Sequence, residues 1–149
     1  MASISPPQKV PYDDLDYDGE LVYTYQGHPY TGIAFEDVPG KWYTELSFED
    51  GLQTGWGREW LPSGTLKSEA EYRYNVLHGE SREFDEDGRL RSRSQYEYGI
   101  LVRKEDIDPE GRIRHEWKIG SNDSLYQMLI DYRSSKKWPT GPSDNREGG

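Results

Sequence analysis

The amino-acid sequence predicts a mainly β fold: an elongated antiparallel sheet of tandem β-hairpin repeats, each about 24 residues long, with one C-terminal helix. Three observations carry that prediction. Gly27, Gly51, Asn75 and Gly99 fall 24 residues apart, and so do Gly40, Gly64 and Gly88, with Gly111 following after 23. Between these turn residues the chain alternates polar and apolar side chains with period two, the signature of a strand with one covered face. The composition suits a thin structure: aromatic residues reach 13%, with 12 Tyr and 5 Trp, while hydrophobic residues are only 32%. Rings of that size can cover a sheet without a deep aliphatic core.

Residues 1–18 are rich in Pro and Asp and read as an extended, mobile segment. Asp14-Leu15-Asp16-Tyr17-Asp18-Gly19 opens like a calcium loop, which needs converging carboxylates and a bidentate Glu at its twelfth position. That position is Tyr25, so an acidic solvated loop is the better reading and no metal site is expected. Leu21 to Tyr25 form a degenerate first strand that caps the repeat domain, which spans 19–120.

Each repeat holds two turns. The first is Leu61-Pro62-Ser63-Gly64, Glu86-Asp87-Gly88 or Pro109-Glu110-Gly111, where Pro fixes φ and the closing Gly supplies a left-handed residue. The second centres on Gly51, Asn75 or Gly99, residues that tolerate positive φ. Between the turns, Leu66, Ser68, Ala70, Tyr72 and Tyr74 share one face, and Lys67, Glu69, Glu71 and Arg73 the other. Stacking equivalent strands gives two apolar ridges, Trp42-Leu66-Leu90-Ile113 and Phe48-Tyr72-Tyr96-Ile119. Between them runs a trough of small residues that includes Thr44, Ser68 and Ser92, and in the last copy His115. The opposite face, with Glu45, Glu69, Arg93 and Glu116, reads as a solvated mixed-charge surface.

Ser121 to Ser124 offer helix N-caps, and Leu125, Met128, Leu129 and Tyr132 make one apolar stripe. A helix over about 123–137 is expected within a capping segment 121–138. Residues 139–149 have the composition of a disordered tail.

The string from Gly55 to Ser68 (Gly55-Trp56-Gly57-Arg58-Glu59-Trp60-Leu61-Pro62-Ser63-Gly64-Thr65-Leu66-Lys67-Ser68) resembles the MORN repeat in its bacterial variant 2 form. Gly79 to Arg93 is similar, and the resemblance covers about residues 20–119. That variant is found in proteins labelled YwqK-like antitoxins. The resemblance implies an elongated antiparallel sheet of hairpins and a binding role, in toxin neutralisation or protein contact. The opening glycine is Thr31 in the first copy and Arg103 in the last, where the pattern departs from the family's.

Net charge is −10. That disfavours phosphate backbones, where affinity comes from Lys and Arg displacing counterions, and it suits a basic partner. The absence of cysteine excludes disulfides and thiolate metal sites. No apolar run approaches a membrane span, and the first residues carry no signal-peptide core, so a cytoplasmic protein without stable membrane association is expected.

The sequence therefore predicts a protein-binding module of the antitoxin, immunity or scaffold kind, with no cofactor, whose partner is another protein or peptide of basic character. Its expected contact residues are Trp42, Tyr43, Trp56, Arg58, Trp60, Tyr72, Tyr74, Arg82, Tyr98 and Trp117. The alternative is a small cofactor-independent biosynthetic enzyme of the cyclase or isomerase kind. It would hold its substrate in the trough and use His115, His78, Glu80 and Tyr96 in acid–base chemistry.

Overall fold

The structure is a computed structural model and describes residues 8–139. Twelve strands and one α-helix follow one another in chain order. The strands are β1 (Lys9–Pro11), β2 (Asp16–Tyr17), β3 (Tyr23–Tyr25), β4 (His28–Pro29), β5 (Gly32–Val38), β6 (Trp42–Glu49), β7 (Leu52–Trp60), β8 (Leu66–Arg73), β9 (Val76–Phe84), β10 (Leu90–Glu97), β11 (Ile100–Ile107) and β12 (Ile113–Lys118). The helix α1 spans Tyr126–Ser135. Nine strands form one sheet in the order β1-β5-β6-β7-β8-β9-β10-β11-β12, and β2-β3-β4 form a small second sheet. All pairings from β5 to β12 are antiparallel; β1 alone adds in parallel, beside β5. The main sheet is therefore the expected series of sequential hairpins.

The 24-residue period has a backbone cause. Gln26-Gly27, Asp50-Gly51, Tyr74-Asn75 and Tyr98-Gly99 all place two successive residues at positive φ. That is the type I′ geometry, whose twist matches the strands it joins. The turn is locked to the preceding unit each time. The N–H of Asp50 donates to Thr31 Oγ1, that of Tyr74 to Thr54 Oγ1, and that of Tyr98 to His78 Nδ1, at 2.9 to 3.1 Å. One turn residue later, Asn75 N–H reaches the Gln53 carbonyl and Gly99 N–H the Leu77 carbonyl.

The small sheet closes the N-terminal end. Val10, Tyr30, Ala34 and Phe48 are buried together, with Tyr12, Leu15, Tyr23, Tyr25 and Leu46 packed on them. Residues 8–18, expected to be mobile, are instead part of this cap. Val10 supplies the apolar side chain and β1 supplies the backbone bonds. Asp18, in the supposed calcium loop, spends one carboxylate oxygen on the N–H groups of Glu20 and Val22. Among the described residues no cluster of acidic and imidazole groups could hold a metal ion.

Helix α1 starts at 126 rather than about 123. Asp123 accepts from the N–H of Gly120 at 2.6 Å and shapes the turn before the helix, while the N-cap residue is Leu125 with no side-chain cap. Of the expected stripe only Leu129 is fully buried; Leu125 and Met128 are exposed, and Tyr132 stacks on Tyr98. Arg133 ties the helix to Glu97 through two hydrogen bonds. The tail assigned to 139–149 lies outside the described residues except for Pro139. Among the described residues no helix is long and apolar enough to cross a membrane.

Candidate functional site

The two faces of the main sheet differ in chemistry. One carries the trough. Thr44, Gly57, Ser68, Ala70 and Ser81 floor a groove of about 290 Å³, walled by Leu46, Tyr72 and Leu77 on one side and Glu59 and Glu83 on the other. Tyr72 and Tyr96 share this face. Burial first, and Tyr96 second, push the Tyr72 hydroxyl above its ordinary value.

The other face, expected to be solvated, holds a transverse row of ion pairs. Lys9 bridges Glu45 at 2.6 Å, Arg58 bridges Glu69 at 3.0 Å, and Arg82 reaches the same Glu69 at 3.4 Å and also pairs with Glu80. Further along, Arg93 and Arg103 both hold Glu105, and Arg103 goes on to Glu116, which Lys118 also contacts. Glu69 is 9% exposed and Glu105 4%. The surface is covered because long Arg side chains from neighbouring strands lie over shorter carboxylates. Hydrogen bonding from Arg93 holds the Glu105 carboxyl below its usual range, against the opposing effect of its burial.

On this ionic face, over β5 to β7, sits a row of packed aromatic rings. Phe35 stacks on Tyr43 with ring centroids 6.2 Å apart, and Tyr43 meets Trp60 at 5.6 Å. The register puts these rings side by side: Phe35 opposite Glu45, Tyr43 opposite Trp60. Where the array meets the hairpin loops it borders a notch of about 470 Å³. The notch is lined by Trp42, Tyr43 and Trp60, by Val38, Leu61 and Pro62, and by the carboxylates Asp37 and Glu45. Trp42 is 38% exposed, and its indole N–H donates to Glu36 at 2.9 Å. Tyr43 donates to Glu45 at 2.7 Å. Burial raises the Glu45 carboxyl, but hydrogen bonds from Lys9 and Tyr43 outweigh it and leave the group below its ordinary value, hence charged. Farther along β7, Arg58 lies over the Trp56 ring at 5.0 Å.

The structure thus brings three of the expected contact residues to one notch at the strand ends, Trp42 from the trough face and Tyr43 and Trp60 from the ionic face that also carries Trp56 and Arg58. It scatters the others. Arg82 belongs to the ion-pair row, Tyr72 to the trough wall, and Trp117 to the last strand. Tyr74 and Tyr98 join a cluster at the turn edge, where both pack against Trp138 at 5.2 and 4.7 Å. Phe35 escaped sequence reasoning although it stands 23 residues before Arg58, in the position that Arg58 and Arg82 fill later. Trp138 closes the expected capping segment, and nothing in the period marks it as a contact.

The acid–base set does not converge. His115 is exposed, with 70% of its side chain open and Asp106 3.8 Å away. It does pair with Asp106 in the register of the small-residue trough, but no further strand or layer among the described residues follows to cover it. His78 packs at 4.7 Å from Trp138 and spends its Nδ1 on the turn at Tyr98. That is the acceptor role of Thr31 and Thr54, so His78 is a member of the repeat pattern and not an exception to it. Burial, aided by Arg73, lowers its proton affinity and keeps it neutral, with Glu97 and Glu71 opposing. Glu80 is paired with Arg82 on the ionic face, and Tyr96 lies on the trough face.

No protein-family model and no curated protein sequence matches the chain. Among solved structures it is similar to a chain in the "Crystal structure of accessory secretory protein 1,2 and 3 in Streptococcus pneumoniae". The identity is 15% and the TM-score 0.39, over 80% of this chain and 21% of that one. The present chain therefore spans about a fifth of that protein.

Proposed function

We propose that this chain is a protein-binding repeat module of the bacterial MORN type, serving an antitoxin, immunity or scaffold role. Its contact surface is the aromatic notch of β5–β7. The observation that supports this most is the notch itself: Trp42, Tyr43 and Trp60 stand at a concave edge beside charged carboxylates. Aromatic side chains in a partly dehydrated recess are the usual anchors of protein contacts. The lining carries the carboxylates Asp37 and Glu45, and the chain as a whole is at −10. The partner that fits is a protein segment with an apolar or aromatic anchor flanked by Lys or Arg. Rings already packed on one another lose little freedom on binding, which favours affinity.

The test is selection of a displayed peptide library on the folded protein, followed by titration of the selected peptides against Trp60→Ala and Trp42→Ala. Enrichment of basic residues around an apolar anchor is expected. Each substitution should weaken binding by about 2 kcal/mol, roughly thirtyfold. Peptides that bind both variants as tightly as the parent would place the contact elsewhere and defeat the reading.

A further inference from the structure

The nine-stranded sheet has two edges, and they are built differently. At one end β1 is three residues long and finishes in Pro11, which has no N–H to offer. At the other end β12 is six residues long, lacks Pro and Gly, and is exposed along most of its length. Among the described residues its one strand partner is β11. The hydrogen bonds and ring contacts of α1 lead to Glu97 and Tyr98, at the end of β10, two strands in from β12.

The earlier repeats show what β12 is shaped to do. Its equivalents β8 and β10 each take a further strand on their outer side. That pairing begins at Ser68 in β8 and at Ser92 in β10. The matching residue of β12 is His115. The stretch before it is unsuited, because Arg114 is an extra residue against β11: His115 pairs with Asp106 and Ile113 with Ile107. The available segment is therefore His115 to Ile119.

Backbone geometry fixes which groups face outward. Ile119 donates its N–H to the Val102 carbonyl, toward β11. Direction alternates along an antiparallel strand, so His115 and Trp117 also face β11, and Glu116 and Lys118 point their N–H and C=O groups out. A second copy placed across a two-fold axis through Trp117 sets Glu116 opposite Lys118 of the mate, and Lys118 opposite its Glu116. Both outward-facing residues of each strand are then hydrogen-bonded and matched in charge. Trp117 meets its own counterpart at the axis, where a pair without backbone bonds brings side chains closest. His115 faces Ile119 of the mate. Moving the axis by one residue puts Glu116 on Glu116 with Arg114 on Lys118, or puts Lys118 on Lys118; both juxtapose like charges. Edges that are meant to stay single carry charges of one sign, commonly lysine, or a proline. This edge carries alternating signs in a self-complementary order.

We propose that β12 is a homodimerisation edge: two copies join antiparallel through Glu116–Lys118, with Trp117 on the two-fold axis, to make one continuous eighteen-stranded sheet. This surface lies at the opposite end of the sheet from the aromatic notch, so the two readings stand or fall separately.

Sedimentation equilibrium of the full chain from micromolar to millimolar concentration is the first test. A monomer–dimer equilibrium between 17.3 kDa and twice that mass is expected. Lys118→Glu and Glu116→Lys should each weaken self-association roughly tenfold or more, since each replaces two matched pairs with two like-charged ones. An equimolar mixture of the two variants should recover the dimer, because positions 116 and 118 are both cationic in one variant and both anionic in the other. Circular dichroism verifies that each variant keeps its sheet. A monomer at every concentration overturns the proposal, as happens if the C-terminal residues or a different protein occupy the edge. A dimer indifferent to both charge reversals, or a mixture that stays monomeric, overturns it equally.

Discussion

The Nδ1 atom of His78 accepts a hydrogen bond from the backbone N–H of Tyr98 at 2.9 Å, performing for its turn what a threonine hydroxyl performs in the two preceding repeats. An imidazole protonated on both nitrogens cannot accept that bond. Burial and the nearby Arg73 already disfavour the charged ring. The unfolded chain therefore binds the proton more readily than the folded one. Stability from this group is complete above the ordinary histidine value of about 6.5 and is lost as pH falls through and below it. Thermal melts of wild type and His78→Thr between pH 7.5 and 5 check this. The threonine variant keeps the acceptor and should show a flatter profile; parallel profiles would show that His78 does not drive the loss.

Glu69 lies between Arg58 and Arg82 and is almost fully covered by them. Removing it leaves two cations facing each other across the strand. Breaking a buried pair costs about 3–5 kcal/mol, but both guanidinium groups keep solvent access here, so about 1–2 kcal/mol is expected for Glu69→Ala. Glu69→Gln, which keeps an acceptor, should cost less. Urea unfolding of the two variants at low and high salt measures both figures, and the cost of Glu69→Ala should shrink as salt screens the two arginines.

Trp138 is surrounded by Tyr74, His78 and Tyr98, and Arg73 sits over its ring at 5.0 Å. Ring contacts of this kind contribute about 0.5–1.5 kcal/mol each beyond simple burial, and they are not additive. Trp138→Ala should lower stability by about 2–3 kcal/mol. Hydrogen exchange should show α1 loosening well before the central hairpins, since the ring connects the end of that helix to the turn edge.

Gly51 occupies a left-handed conformation at φ +83°, and a Cβ there would lie 2.5 Å from Val22 Cγ1 and 2.7 Å from the Tyr23 carbonyl oxygen. The backbone strain and the overlap with a carbonyl together should make Gly51→Ala cost more than about 2 kcal/mol, by the usual scale for such sites. Gly27→Ala has the same strain but open space around it. It should cost only about 1 kcal/mol, and a denaturation midpoint for each separates strain from overlap.

Much of the architecture is legible because a period of 24 sorts the residues before any contact is known. Turn glycines and Asn75 fix where the chain reverses, and the alternation from Leu66 to Tyr74 fixes which residues share a face. Illegible features depend on neighbours the pattern does not specify. Lys9-Val10-Pro11 is too short to show alternation, so its parallel seat beside Ile33, Ala34 and Phe35 has no local signature. Glu69 and Glu105 look like surface residues in sequence, yet flanking arginines cover them. His115 holds a trough position by count, but the following strand that covers Ser92 has no counterpart beyond β12 among the described residues. The aromatic row was half visible: Trp42, Tyr43 and Trp60 stand out by type, whereas Phe35 matters only because the register sets its ring against Tyr43.

In the large sheet every pairing except β1 with β5 joins strands consecutive in the chain. Little loop entropy is therefore spent before each contact forms, and such low contact order goes with fast folding. Growth can spread hairpin by hairpin from wherever the first one forms, as a zipper does. The β1–β5 pairing is the exception, since it must enclose the whole small sheet and comes late. The consequence is a polarity of folding: sequential hairpins that close locally, and an N-terminal clasp that waits on the longer loop between β1 and β5.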